Sequence, residues 1–189
     1  MPYPHWEYFL AIESDLNRAT RFVEFSPDNF GVYSIEFTHI LLSSSSEVDV
    51  VAKALCNEVN PSSTHENIND YRKTIVSKFP RFSQTKVSVP RYGLALQPWE
   101  IWKNDEGNPG WWRSYNEVKH GRNIHYKKAN LENALNAVAG LFCLVLFLYR
   151  KVNSSNRLVP VPQLLSCSHY KIPPNPSNLT TEDLMEIFR

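Results

Sequence analysis

The chain has 189 residues, a length that suits one domain with a sizeable core and is short for two. Apolar residues make up 42% of it and charged residues 21%, which argues against a disordered or fibrous protein. Twenty basic and nineteen acidic side chains give a net charge of +1, so a nucleic-acid partner would have to be recognised by a local patch.

Three features predict a cytoplasmic protein with no membrane partner. The N-terminus lacks the basic region of a signal peptide. The longest apolar run, residues 137–149, is shorter than the roughly 20 residues that cross a bilayer, so we expect a buried helix there. Cys56, Cys143 and Cys167 are odd in number and lack metal-ligand spacing, which argues against a disulfide framework or a zinc site and predicts no cofactor.

Helical periodicity predicts three helices in the first 80 residues. The first, 5–25, carries an apolar stripe at steps of three and four, from Phe9 to Val23. The second, 32–58, ends before Pro61, because proline cannot continue the hydrogen-bond ladder. The third, 64–79, has Asn69 or Asp70 as a candidate cap.

Four consecutive serines, 43–46, lie in the middle of the second helix. Small residues at such a position let another helix backbone come close, and this interpretation is favoured over a catalytic serine.

The second half of the chain combines an extended segment, two helices and a tail. Apolar and polar residues alternate over 84–99 around Pro90, which predicts a short hairpin or an extended loop. Helical patterns follow over 111–121 and 131–151. The tail is rich in proline and has a short capped helix predicted near 180–184. We expect an all-α bundle over residues 1–152 and a Pro-rich C-terminal arm, 153–189, packed on it.

The segment 111–128 concentrates the reactive side chains. It holds five lysines or arginines against one acid, Glu117. Arg113 and His120 are seven residues apart, which places them within about 20° on one helix face and about 10 Å apart along the axis. Asn116 and Glu117 lie between them.

These residue types suit a phosphodiester. A neutral imidazole can take a proton from a hydroxyl, and a guanidinium can neutralise charge that grows on phosphate oxygens. Asn116 can add an orienting hydrogen bond. His120, Arg113 and Asn116 are therefore the candidate catalytic residues, with Lys119, Arg122, Tyr115 and Ser114 as candidate substrate-binding residues.

The spacing of Arg113 and His120 falls within the Arg-x(4–6)-His motif of the HEPN superfamily (higher eukaryotes and prokaryotes nucleotide-binding). The segment from Trp111 to Leu141 also resembles bacterial HEPN-like proteins that carry a Trp-Trp…Tyr-Asn-x-x-Lys-His-x-Arg block. The resemblance covers about residues 5–152 and implies a small helical bundle. One departure is Ser114, because the residue after the motif arginine is commonly larger; Asn116 is a candidate substitute.

The resemblance implies a metal-independent endoribonuclease, a toxin or phage-defence effector. His120 and Arg113 would promote attack of a ribose 2′-hydroxyl on the adjacent phosphate and leave 2′,3′-cyclic phosphate ends. It also implies a homodimer that joins two motifs, with RNA as substrate and an antitoxin or defence protein as a further partner. Some members of the superfamily are non-catalytic, so a nucleotide-binding or dimerisation module is the alternative.

Each candidate also has a structural interpretation. His120 precedes Gly121, so it can instead interact with the last carbonyls of its helix. Arg113 can instead pair with an acid such as Glu117. Glu36 and Glu47 form an exposed polar face or orient Arg113 or His120. Trp111 and Trp112 belong to the core or a lid, or stack on bases.

Overall fold

The first three helices are those that the sequence periodicity predicts, but their ends differ from the predicted bounds. In the computed structural model, which describes residues 3–104, 107–154 and 158–170, helix α1 spans Pro4–Ala19, α2 Ile35–Val59 and α3 Ile68–Lys78. The Ser34 hydroxyl caps α2 by accepting a hydrogen bond from the Phe37 N–H at 3.0 Å. The cap of α3 is Asn67, not Asn69 or Asp70, so this helix begins four residues later than predicted.

The apolar stripe that the sequence predicts is confirmed along α1 as far as Ala19, where the helix ends. Phe9, Ile12, Leu16 and Ala19 are all buried. In α2, Ser44 and Ser45 are completely buried, and the Ser44 hydroxyl donates to the carbonyl of Ile40 at 2.6 Å. Two serines inside the packed helix, one of them bonded to its own backbone, act as small packing residues.

A small sheet corrects the all-α prediction. Strands β1 (Val87–Val89) and β2 (Leu94–Leu96) form the expected hairpin, and Gly93 adopts a left-handed φ of 64° at its turn. A third strand, β3 (Ser166–Cys167), comes from the tail and pairs with the other edge of β1. The protein is therefore mostly helical with a three-stranded sheet. A strand of two residues is too short to show the alternation that predicts strands.

The remaining helices are α4 (Gly110–His125), α5 (Leu131–Leu148) and α6 (Arg150–Ser154). The side chain of Asn130 caps α5, which packs mainly against α2 and is buried along most of its length. By length and composition α5 is the one helix of the described residues that could cross a membrane, but most of it is buried inside the protein. This burial is typical of a core helix and agrees with the prediction. Short 3-10 turns in the described residues lie at Pro27–Asn29, Phe82–Gln84, Pro90–Tyr92, Glu100–Lys103 and Tyr126–Lys128.

A tryptophan layer joins the connection after β2 to α4 and α5. Trp99 contacts both Trp102 and Trp111, with ring centroids 4.2 and 5.1 Å apart. The indole N–H of Trp111 donates to the carbonyl of Pro98 at 2.9 Å. Gly140 of α5 makes room for this layer, since a Cβ there would lie 2.9 Å from the ring of Trp111. The buried Trp111 and Trp112 are thus core residues.

The described part of the tail, residues 158–170, lies against α1. The carboxylate of Glu13 is only 1% exposed and accepts hydrogen bonds from the backbone N–H groups of Gln163, Leu164 and Leu165 at 2.8–3.0 Å. Trp6 also donates to the carbonyl of Pro160. These bonds satisfy a buried charge and hold the segment that supplies β3. The helix predicted near 180–184 lies outside the described residues.

Candidate functional site

Helix α4 is buried and apolar on one side and exposed and polar on the other. Trp111, Trp112, Tyr115 and Val118 are buried, whereas Arg113 and His120 are exposed. The non-helical backbone of α4 is at Gly121, after His120, so the helix is regular between the two candidates. The geometry derived from their spacing therefore applies: one face, about 10 Å apart along the axis.

Arg113 lines a groove of about 590 Å³ between α4, the connection after β2 and the start of α5. Ser114 and Glu117 line the same groove from α4, Glu100 lines it from the connection after β2, and Lys128, Glu132, Asn133 and Asn136 line it from the other side. Within the described residues, the guanidinium of Arg113 makes no hydrogen bond or ion pair. Arg113 and Ser114 are thus together in a polar groove, with the cation available to a ligand.

His120 lines a second, shallower depression of about 400 Å³. It shares this depression with Asn116, Glu117, Gly121 and His125. The Asn116 amide donates to the carbonyl of Trp112 at 3.0 Å, which fixes the amide plane. The structure therefore brings His120 and Asn116 together, and places Arg113 in the neighbouring groove.

Glu117 lines both the groove and the depression. Its carboxylate is hydrogen-bonded and ion-paired with Lys128. This hydrogen bond is the main reason that the pKa of Glu117 is lowered, and the positive charges of Lys128 and Arg113 lower it further. The acid between the two candidates is therefore ionised at neutral pH and has Lys128 as its direct partner.

Tyr115 and Lys119 lie on another side of α4. Tyr115 is buried, and the ammonium of Lys119 lies 5.4 Å from the centroid of its ring. Both line a third depression, of about 350 Å³, with Asp49 and Glu66 from the α2 and α3 side. Arg122 is exposed beyond Gly121. The four candidate substrate-binding residues are therefore distributed around α4, and of these Ser114 lies in the groove of Arg113.

The two candidate glutamates of α2, Glu36 and Glu47, lie apart from these depressions. Glu36 is exposed in the first turn of α2 and lines none of the three. Glu47 is hydrogen-bonded to the His5 Nδ1 at 2.6 Å, in a half-buried contact between α1 and α2. Glu47 is thus engaged by His5 rather than by Arg113 or His120. The sequence offered no signal for this pair, because its members are 42 residues apart.

The position of His125 did not follow from sequence spacing. It is five residues after His120, which in an unbroken helix corresponds to a rotation of about 140°. The structure nevertheless puts both imidazoles in one depression. The available signal was Gly121, since a glycine inside a helical pattern marks a position where the helix can break.

Two further findings bear on the chemistry. Across residues 3–104, 107–154 and 158–170, no three His, Cys, Asp or Glu side chains form a group that could hold a metal ion. Comparison of the chain with protein-family models, curated proteins and solved structures found no match.

Proposed function

We propose that the protein is a metal-independent endoribonuclease whose active site is the exposed face of α4. The observation that carries the proposal is the state of three side chains on that face. Arg113 and His120 have no side-chain hydrogen bond or ion pair within the described residues, whereas Lys128 pairs with the acid between them. A cation and an imidazole left available on one face suit an anionic substrate.

The roles follow from the two concavities. Arg113 binds the oxygens of the scissile phosphate from its groove and neutralises their growing charge. His120 takes the proton of the ribose 2′-hydroxyl from the neighbouring depression, and the fixed amide of Asn116 holds the sugar or the phosphate. Attack of the 2′-oxygen on phosphorus then gives a 2′,3′-cyclic phosphate and releases a 5′-hydroxyl. RNA is required, because DNA lacks the attacking group.

The proposed biological role is that of a cytoplasmic toxin or phage-defence effector of the HEPN type, restrained by a partner and active as a homodimer. The three buried cysteines form no disulfide within the described residues, an arrangement that suits a reducing compartment such as the cytoplasm.

A second candidate function is a non-catalytic dimerisation or nucleotide-binding module. It is favoured by two exposed apolar side chains: Ile124 in α4 is 76% exposed, and Ile35 at the start of α2 is 64% exposed. Tyr33 packs edge-on against Tyr126, just after α4, with ring centroids 5.4 Å apart. Exposed apolar side chains of this kind are typical of interaction surfaces.

The test is cleavage of a labelled panel of transfer and messenger RNAs in EDTA. Wild type is compared with Arg113→Ala and His120→Ala, and with Arg21→Ala and His39→Ala as matched controls. Arg21 and His39 are exposed and line none of the three concavities. We expect a loss of about 10²–10⁴-fold in both site variants, normal cleavage by both controls, and cyclic phosphate ends.

Two results would reject the ribonuclease. One is a folded wild type that cleaves none of the RNAs; the other is cleavage that persists in both site variants. If the inactive wild type is a dimer that an Ile124→Asp substitution dissociates, the dimerisation module becomes the leading function.

A further inference from the structure

The depression around His120 contains a second imidazole. His120 and His125 both line it, together with Asn116 and Glu117. Cleavage of a phosphodiester needs two proton transfers, one from the attacking hydroxyl and one to the leaving oxygen. The proposed function assigns a group to the first transfer and leaves the second without one.

The break in α4 at Gly121 brings the second imidazole into the depression. Gly121 has φ −147° and ψ 50°, so the chain leaves the helical path directly after His120. The ring of His125 then lies over Gly121: a Cβ at that position would be 3.2 Å from His125 Cδ2 and 3.7 Å from Nε2. The absence of a side chain at residue 121 therefore leaves room for the His125 ring in the depression that His120 also lines.

The depression that His125 lines also holds an acidic side chain. Glu117, which lines the same depression, is ionised at neutral pH because Lys128 lowers its pKa, and it interacts electrostatically with His125. Within the described residues His125 makes no side-chain hydrogen bond or ion pair, so its ring nitrogens remain available to a substrate.

We infer that His125 is the general acid of the cleavage reaction and that Gly121 is its positioning residue; this inference rests on the proposed ribonuclease function. His120 accepts the 2′-hydroxyl proton while the bond from the 2′-oxygen to phosphorus forms. The bond from phosphorus to the 5′-oxygen breaks, and the 5′-oxygen takes its proton from His125. The products are a 2′,3′-cyclic phosphate and a 5′-hydroxyl, and exchange with water returns both imidazoles to their starting states.

A substrate that needs no acid tests this assignment. The probe is a DNA oligonucleotide with a single ribonucleotide, placed in a sequence that the wild type cleaves. It is made in two forms, with oxygen or with sulfur as the 5′-leaving atom. A thiolate leaves without being protonated, since a thiol is a much stronger acid than an alcohol. Single-turnover rates are measured for the wild type and for variants that circular dichroism and gel filtration show to be folded.

We expect His125→Ala to cleave the oxygen probe about 10²–10³-fold more slowly than wild type and the sulfur probe within about tenfold of it. His120→Ala loses activity on both probes, because the base is needed for either leaving group. Gly121→Ala, whose Cβ displaces the His125 ring by a few tenths of an ångström, shows a smaller loss confined to the oxygen probe. His39→Ala is unaffected on both.

Each contrary result has its own meaning. If His125→Ala cleaves both probes at the wild-type rate, or if its cleavage rate falls by the same factor on both probes, His125 is not the acid. The ribonuclease function still stands in either case. If the His125 and Gly121 variants both misfold, His125→Gln decides the question by the same comparison of probes. A wild type that cleaves no RNA overturns the proposed function and this inference together.

Discussion

The two sides of helix α4 differ in what holds them in place. On the inner side, Trp111 packs against Trp99 and Gly140, and the indole N–H groups of Trp111 and Trp99 donate to the carbonyls of Pro98 and Gly140. The outer side carries Arg113 and His120 in contact with solvent and an acid paired with Lys128. Rigid packing on one side and available charge on the other is the arrangement that positions a site on a stable scaffold, because the helix can be fixed without using the site residues.

The largest expected effect comes from removing a ring on the inner side. Trp111→Ala should lower the free energy of unfolding by about 3–5 kcal/mol, since it leaves a cavity and an unpaired Pro98 carbonyl. The matched change on the outer side, Arg113→Ala, should cost less than about 0.5 kcal/mol. Urea unfolding followed by circular dichroism measures both. If both variants lose the same free energy of unfolding, the outer side of α4 contributes as much to stability as the inner side.

The next largest effect concerns the close packing of Gly140 on the inner side. Gly140→Ala places a Cβ 2.9 Å from the ring of Trp111 and 3.4 Å from that of Trp99, both buried. We expect a loss of about 1–3 kcal/mol from overpacking, even though alanine favours helix by about 1 kcal/mol. Gly110→Ala is the control, because nothing lies within 4 Å of its Cβ. A melting temperature that rises in the Gly140 variant would contradict the close packing.

A smaller effect concerns Lys119, in the third depression, and the proposed substrate. Lys119→Ala should weaken RNA binding about equally for all sequences and lower the salt dependence of binding by about one counterion. The free energy of unfolding should change by less than about 1 kcal/mol, because the contact with Tyr115 is exposed on the side of the lysine. Fluorescence anisotropy at several salt concentrations measures the slope. An unchanged slope would remove Lys119 from the substrate surface.

The smallest effect is the pairing of Glu117 with Lys128. Lys128→Ala removes the main cause of the lowered pKa, so the Glu117 pKa should rise towards its ordinary value in an NMR titration. Because the pair lowers the pKa in the folded state, its contribution to stability is present at neutral pH and is lost as the pH falls through that pKa. Wild type and variant should therefore differ in unfolding midpoint at pH 7 and converge in acid. Lys127→Ala is the control, and a difference that persists in acid would contradict the pairing.

The helices show what local sequence is able to predict. The C-terminal end of α2 follows from the proline after Asn60, and the burial of α5 follows from its apolar run; α2 begins three residues later than predicted, after its cap Ser34. Strand β3 could not be predicted, since its two residues pair with a strand almost 80 residues earlier. The partner of Glu13 was equally hidden, because backbone N–H groups carry no sequence signal.

For the candidate site, the sequence by itself determined which residue types are present and which of them share a helix face. It placed a basic segment on one helix and aligned Arg113 with His120, because both properties depend only on residue type and on the 3.6-residue repeat. Tertiary structure decided the partners: Lys128 is bound by Glu117, Glu47 is bound by His5, and His125 lines the same depression as His120. These depend on where the chain bends and on which surfaces meet. No local period carries that information, because long-range contacts arise from the packing of the whole core.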